Sequence, residues 1–323
     1  MIPTLRMKND GPQRKRLFVP EAMAHPAKGH ISMWQEMIER YSQPGDLVVD
    51  PMAGIGTSLV AALMGRNVVC VELEPHFVAP MRASWEKMKQ HPMLGHALGH
   101  VCIIRGDARH LPLASADSII TSPPYEGMHA PNDEQRTAAA SGEPFGRNLP
   151  MNGHSYADTR PQQVDAVVSS PAYENTAHKP GNLDAMREKL AELYPGHVGP
   201  NTIRNATEYG DGRTNIGNLR GAAYWESQAQ VYAECWRILR PGGLMALVLK
   251  GFTRDGAYVD LPQQTLDLLL AAGWVEHERW RRELWSLSFW RILQKRRDPA
   301  AFDNLLNYEE VIAVRKPGAE GGA

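Results

Sequence analysis

The chain has 323 residues, a formal net charge of −1 and 43% apolar residues, as expected of a globular protein with a substantial core. No stretch is long or apolar enough to cross a bilayer, and Met1-Ile2-Pro3 opens no secretion signal. Near-neutral charge excludes a strongly basic nucleic-acid-binding surface over the whole molecule, so any such face must be local.

In chain order, Arg14-Lys15-Arg16 sits in a segment, residues 1–24, expected to be a frayed tail. Residues 46–50 read as a buried parallel strand, followed at once by Pro51-Met52-Ala53-Gly54-Ile55-Gly56-Thr57 and an apolar helix over 58–64 that stops at Gly65. Strand, glycine turn and helix make a nucleotide-binding βαβ unit, in which glycines let the backbone approach a ligand. A second strand over 67–72 ends in Glu72, close to the distance at which a carboxylate meets ribose hydroxyls. A third, 100–104, ends at Gly106-Asp107-Ala108, and a fourth, 117–121, ends at Ser122-Pro123-Pro124-Tyr125.

A phosphate loop requires Gly-Lys-Ser/Thr, but Gly56 precedes Thr57-Ser58. A dinucleotide fingerprint requires a third glycine where Leu59 stands. A purely structural turn fits the two glycines alone. It does not account for Asp50, Glu72, Asp107 and Ser122 falling at successive strand ends, which line the ligand crevice of an open α/β sheet.

The Ser-Pro-Pro-Tyr exit suits an amino group on a flat heterocycle. Its hydroxyl and a proline-held carbonyl accept the two N–H bonds, and its ring stacks on the base. A second copy of the signal, residues 164–173 with Ser170-Pro171-Ala172-Tyr173, lies inside a Gly-, Asn- and Pro-rich stretch over 126–221. That stretch is too long for an ordinary loop and is expected to be a target-recognition or lid region. Either copy can supply the fourth strand; the intact Pro123-Pro124 favours the first. Cys70, Cys102 and Cys235 have neither pairing nor metal spacing, which suits core packing in a reducing cytoplasm, and no metal is expected.

Regular pattern returns with a helix over 225–239, a strand over 243–250, a helix over 261–272 stopped by Gly273, a sixth strand from Trp274 and a seventh over 308–314. Between the last two, Arg279-Trp280-Arg281-Arg282 leads through Trp285 and Trp290-Arg291 to Lys295-Arg296-Arg297. Basic residues interleaved with aromatics can pair with phosphate and stack on bases; an edge hairpin packed on the core is the equal alternative.

The chain resembles the amino-group DNA methyltransferases that use S-adenosylmethionine. The resemblance rests on the 50–57 loop and Ser122-Pro123-Pro124-Tyr125, and extends to His25-Pro26-Ala27-Lys28, Val71-Glu72-Leu73-Glu74-Pro75, Gly106-Asp107-Ala108-Arg109 and Arg237-Ile238-Leu239-Arg240-Pro241-Gly242-Gly243. It covers residues 25–125 and 222–316 as two halves of one domain. It implies a Rossmann-like α/β fold: a seven-stranded sheet with helices on both faces and a large insertion after strand 4.

The resemblance further implies that Asp50, Pro51, Met52, Ala53, Gly54, Gly56 and Thr57 hold the cofactor's amino-acid end, with Lys28 nearby. Glu72 and Leu73 would meet the ribose, and Asp107 and Ala108 the adenine. Ser122, Pro123, Pro124 and Tyr125 would bind the flipped base, with N4 of cytosine favoured over N6 of adenine. Double-stranded DNA is the expected partner, met by Arg279, Arg281, Arg282, Arg296 and Arg297, with or without a cognate restriction endonuclease. An RNA base methyltransferase and a catalytically silent nucleic-acid-binding protein are the alternatives.

Overall fold

The computed structural model describes residues 2–24, 28–114, 118–121, 215–254, 257–284 and 307–318. Its central strands are apolar at nearly every position because both faces of the sheet are covered. Strands β2 (Leu47–Asp50), β3 (Asn67–Glu72), β4 (Val101–Arg105), β5 (Ser118–Thr121) and β6 (Leu244–Leu249) run parallel. On one face Val48, Val68, Cys70, Ala246 and Val248 pack under α1 (Gly11–Leu17), α2 (Ile31–Tyr41), α3 (Val60–Leu63) and α4 (Pro75–Met88). On the other, Val49, Val69, Val71, Met245 and Leu247 pack under α5 (Ala222–Ile238) and α6 (Leu261–Ala271). The period of two along each strand thus builds a three-layer sandwich.

The order across the sheet is β1-β9-β10-β6-β5-β2-β3-β4, with β10 (Tyr308–Arg315) antiparallel to both β6 and β9 (Val275–Glu283). A small antiparallel pair, β7 (Phe252–Arg254) and β8 (Ala257–Val259), follows β6. The strands expected at these positions are present, and among the described residues the sheet has eight. Thr4–Leu5 forms β1 and pairs in parallel with Arg281 and Arg282 of β9. A two-residue strand has no period to read; it forms because β9 otherwise leaves its backbone donors and acceptors unpaired.

The frayed tail expected over residues 1–24 is also corrected. From Thr4 to Ala24 the chain forms β1, α1 and a 3₁₀ turn (Pro20–Ala24), and Arg14 is only 4% exposed. Part of the helix expected over 58–64 is a 3₁₀ turn, Thr57–Leu59, that leads into the single turn of α3. Residues 122–214, most of the expected insertion, lie outside the described residues. No described helix is long and apolar enough to cross a membrane.

Candidate cofactor and active site

The site is built at the carboxyl ends of β2 and β3. After Asp50 the chain turns over the sheet: the Ala53 N–H donates to the Val71 carbonyl (3.0 Å) and the Gly56 N–H to the Ala53 carbonyl (2.7 Å). Gly54 and Gly56 have φ of 53° and 78°, and a Cβ on Gly56 would lie 2.6 Å from Met81 Cγ, so the turn requires glycine there. Pro51, Ala53 and Thr57 are buried, while Met52 and Gly54 are half-buried.

Two acids organise this turn. Glu72, at the end of β3, accepts the Gly54 N–H on Oε2 (2.7 Å) and the Glu74 N–H on Oε1 (2.8 Å). Burial pushes its carboxyl up to about 7, against the opposing pull of these backbone bonds. Asp50, 1% exposed, accepts the Met52 N–H on Oδ1 (3.3 Å), while its buried Oδ2 has no hydrogen-bond partner. Burial holds this carboxyl well above the usual range, and the nearby Glu72 charge adds to that effect. The Ser58 hydroxyl acts to lower the Asp50 carboxyl and lies 3.4 Å from Cys70 Sγ; Cys70 is Asp50's register partner.

The Gly106 N–H donates to the Glu72 carbonyl (3.0 Å), which brings the end of β4 beside Glu72. Asp107 follows and is gripped by Arg109, with Nη2 2.6 Å from Oδ2 and the Arg109 N–H 2.9 Å from Oδ1. Burial acts to raise the Asp107 carboxyl, but the Arg109 bonds outweigh it and hold it low. Ala108 is buried in the second core and Leu73 is half-buried. Lys28 is half-buried just before α2.

Strand β5 fills the slot between β2 and β6, with Ile119 opposite Val49 and Met245. The first Ser-Pro copy therefore follows the fourth parallel strand of the crevice. Ser122, Pro123, Pro124 and Tyr125 themselves lie outside the described residues, as do His25, residues 164–173, Arg296 and Arg297.

Where the expected basic patch is described, its arginines are paired with carboxylates. Arg279 and Arg281 both pair with Glu310, which is 3% exposed, and Arg282 pairs with Glu309. These carboxylates sit on β10, Glu310 directly opposite Arg281 and Glu309 opposite Arg282, while Arg279 reaches Glu310 diagonally from opposite Ile312. Three of the expected phosphate-binding arginines are thus paired within the sheet with two carboxylates, and loss of Glu310 would leave Arg279 and Arg281 without this partner. Trp280 is a core residue, 1% exposed, whose Nε1 donates to the Tyr41 hydroxyl (2.8 Å). This hydroxyl in turn donates to Glu278 (2.7 Å).

With that geometry in place, residues 5–82 match the N6/N4 methyltransferase family model, described as DNA methylase. No curated protein matches the sequence. Among solved structures, TrmN from Thermus thermophilus is similar at 15% identity and a TM-score of 0.45, over 94% of this chain and 52% of that one. This chain therefore spans about half the length of TrmN. A SAM-dependent methyltransferase from Methanosarcina mazei is similar at 13% identity and 0.41, over 87% and 97%. The magnesium protoporphyrin IX methyltransferase ChlM from Synechocystis PCC 6803 is similar at 8% identity and 0.42, over 88% and 80%.

The sheet order, the glycine turn tied to Glu72 and the methylase match define the class: a methyltransferase that uses S-adenosylmethionine.

The residues present fit that cofactor. Asp50 Oδ2 is buried without a hydrogen bond of good geometry, although the Ser58 hydroxyl is near enough to favour the ionised carboxyl, and this suits an acceptor for an ammonium group. Glu72 retains lone pairs for hydroxyl donors beyond its two backbone bonds.

No sequence pattern pointed to one further residue. Asn215, where the described chain resumes after residue 214, is 8% exposed, and its Nδ2 donates to Glu74 Oε1 (3.0 Å). Its Oδ1 accepts the Gly217 N–H (2.9 Å). A continuous chain of bonds therefore runs from Gly54 through Glu72 and Glu74 to Asn215. An Asn215→Ala variant is expected to bind S-adenosylhomocysteine about three- to tenfold more weakly in calorimetry, the worth of one hydrogen bond.

Proposed function

We propose that this protein is a DNA methyltransferase that methylates an exocyclic base amine, N4 of cytosine before N6 of adenine, on a flipped base in double-stranded DNA. The observation that carries the reading is the convergence at one sheet edge. Asp50, Glu72 and the glycine turn close β2 and β3, and β5 beside them leads directly into Ser122-Pro123-Pro124-Tyr125.

When bound, the cofactor supplies a methyl group on a positively charged sulfur. Asp50 Oδ2 would hold the ammonium of its amino-acid end, Glu72 the ribose hydroxyls, and Asp107 with Ala108 the adenine. Ser122 Oγ and the Pro123 carbonyl oxygen would accept the two N–H bonds of the target amine, and Tyr125 would stack on the base. An exocyclic amine is a weak nucleophile because its lone pair is delocalised into the ring. Accepting both hydrogens lets the nitrogen become more tetrahedral as it attacks the methyl carbon in line; the carbon–sulfur bond would break to leave a neutral thioether, and the methylated amine would then release one N–H proton to solvent. The protein's contribution is positioning and matched dipoles.

The test is mass spectrometry of nucleosides from cells that express the wild type or Ser122→Ala. Methylated cytosine or adenine in DNA from the wild type alone is the expected result. The modified base appearing only in RNA would transfer the reading to an RNA enzyme. No modification in either, despite cofactor binding, would make the protein a silent binder. Undiminished DNA methylation in Ser122→Ala would shift the catalytic role to Ser170.

A further inference from the structure

Residues 2–10 lie on the surface between the edge of β9 and the start of α2. None of them is fully buried, whereas Leu17, Phe18 and Ala22 further on belong to the first core. Polar contacts therefore hold this strap. Thr4–Leu5 pairs with β9, the Arg281 N–H donates to the Pro3 carbonyl (2.8 Å), and Arg6 pairs with Glu283 at the surface. The Lys8 carbonyl accepts from His30 Nε2 (3.0 Å), and Asp10 Oδ2 accepts the Ile31 N–H (3.0 Å). A segment with so little buried apolar area is the kind that opens locally while the rest of the fold stays intact.

Under the strap sits His30, 7% exposed. A carbonyl only accepts, so Nε2 carries the ring hydrogen and Nδ1 is the basic nitrogen. Nδ1 is buried without a partner. A proton there would add a buried charge and a buried N–H with no acceptor.

The charged groups around the ring offer that proton little support. Asp10 and Arg14 of the N-terminal segment are paired with each other (2.6 Å), and Arg282 of β9 is paired with Glu309 of β10. Both carboxylates are thus already matched by a guanidinium. Burial acts to raise the Asp10 carboxyl, but Arg14 and the Ile31 N–H outweigh it and keep it ionised. His30 is also the N-cap residue of α2, where the helix dipole opposes a cation. Burial lowers the His30 pKa from its ordinary 6.5, and Arg282 lowers it further, against the pull of Asp10, Glu309 and the Lys8 carbonyl. The closed strap consequently binds the proton less tightly than an open one. Its attachment is complete above pH 6.5 and weakens as the pH falls below that value.

We propose that residues 2–10 form a pH-sensitive strap, released from α2 and β9 when His30 gains a proton at Nδ1. Release lets water reach the ring and the new charge, while Leu17, Phe18 and Ala22 keep the following segment docked.

Hydrogen–deuterium exchange of the full chain at pH 7.5 and pH 5.0, corrected for the intrinsic pH dependence of exchange, tests this. Protection of residues 2–10 is expected to fall about threefold or more at the lower pH, with about thirtyfold the ceiling set by a free imidazole at 6.5. Residues 67–72 should not loosen, because burial of Glu72 acts in the opposite direction. His30→Gln keeps an N–H for the Lys8 carbonyl without titrating, and its strap should be equally protected at both pH values. Equal protection of the wild-type strap at both pH values overturns the proposal. So does the same loss in His30→Gln, or a loss shared by residues 67–72. If His30→Gln does not fold, an NMR titration of the His30 ring in the wild type decides: a pKa below 6.5 is expected, and one at or above 6.5 overturns the proposal.

Discussion

An Asp50→Asn variant is expected to lose cofactor affinity while keeping or gaining stability. The carboxylate is buried with one unpartnered oxygen, so the free protein carries a desolvation penalty that an amide of the same shape escapes. The melting temperature without ligand should stay unchanged or rise by about 1–2 °C, as one kcal/mol would do in a chain of 323 residues. Affinity for S-adenosylhomocysteine should fall by about 10- to 100-fold, because a charge-assisted hydrogen bond to its ammonium is lost. Calorimetry paired with a thermal melt checks both signs. A drop in stability with intact affinity would identify Asp50 as a structural residue.

The second large effect is a pH dependence centred on Glu72. Its carboxyl rises from the ordinary 4.5 to about 7 through burial, so the folded protein holds this proton more tightly than the unfolded chain. The stabilisation is complete below pH 4.5, disappears as pH climbs through about 7, and does not change further above that. At about 1.4 kcal/mol per unit, the wild type should lose roughly 3 kcal/mol across that window relative to Glu72→Gln. Denaturant melts of the two proteins at pH 5 and pH 8 measure the difference.

Ligand binding should run the other way. A fully ionised Glu72 is the better acceptor for ribose hydroxyls, so affinity for S-adenosylhomocysteine should rise about tenfold from pH 6 to pH 8. Binding near pH 7 should release protons, detectable as a dependence of the calorimetric heat on buffer ionisation enthalpy. The Glu72→Gln variant should show neither effect. A wild-type affinity that is flat with pH would mean that Glu72 serves only to hold Gly54 and Glu74.

The amino-acid sequence by itself determined what depends on neighbours along the chain. The apolar runs of β2, β3 and β6 are readable because strands covered on both faces have no polar side to interrupt them. The glycine turn is readable because a left-handed conformation pressed against Met81 leaves no alternative residue at Gly56. Asp50 and Glu72, at the ends of β2 and β3, likewise marked the crevice. Tertiary structure alone decided what depends on partners distant in sequence. The arginines of β9 looked like a phosphate surface until β10 placed Glu309 and Glu310 opposite them. The N-terminal residues looked frayed until Asp10 and Arg14 met the start of α2. Asn215 had no visible role until Glu74 came within hydrogen-bonding distance of it. In each case a local pattern records which charges and hydrogen-bonding groups a segment carries, whereas only the packed chain determines which of them neutralise one another and which remain for a ligand.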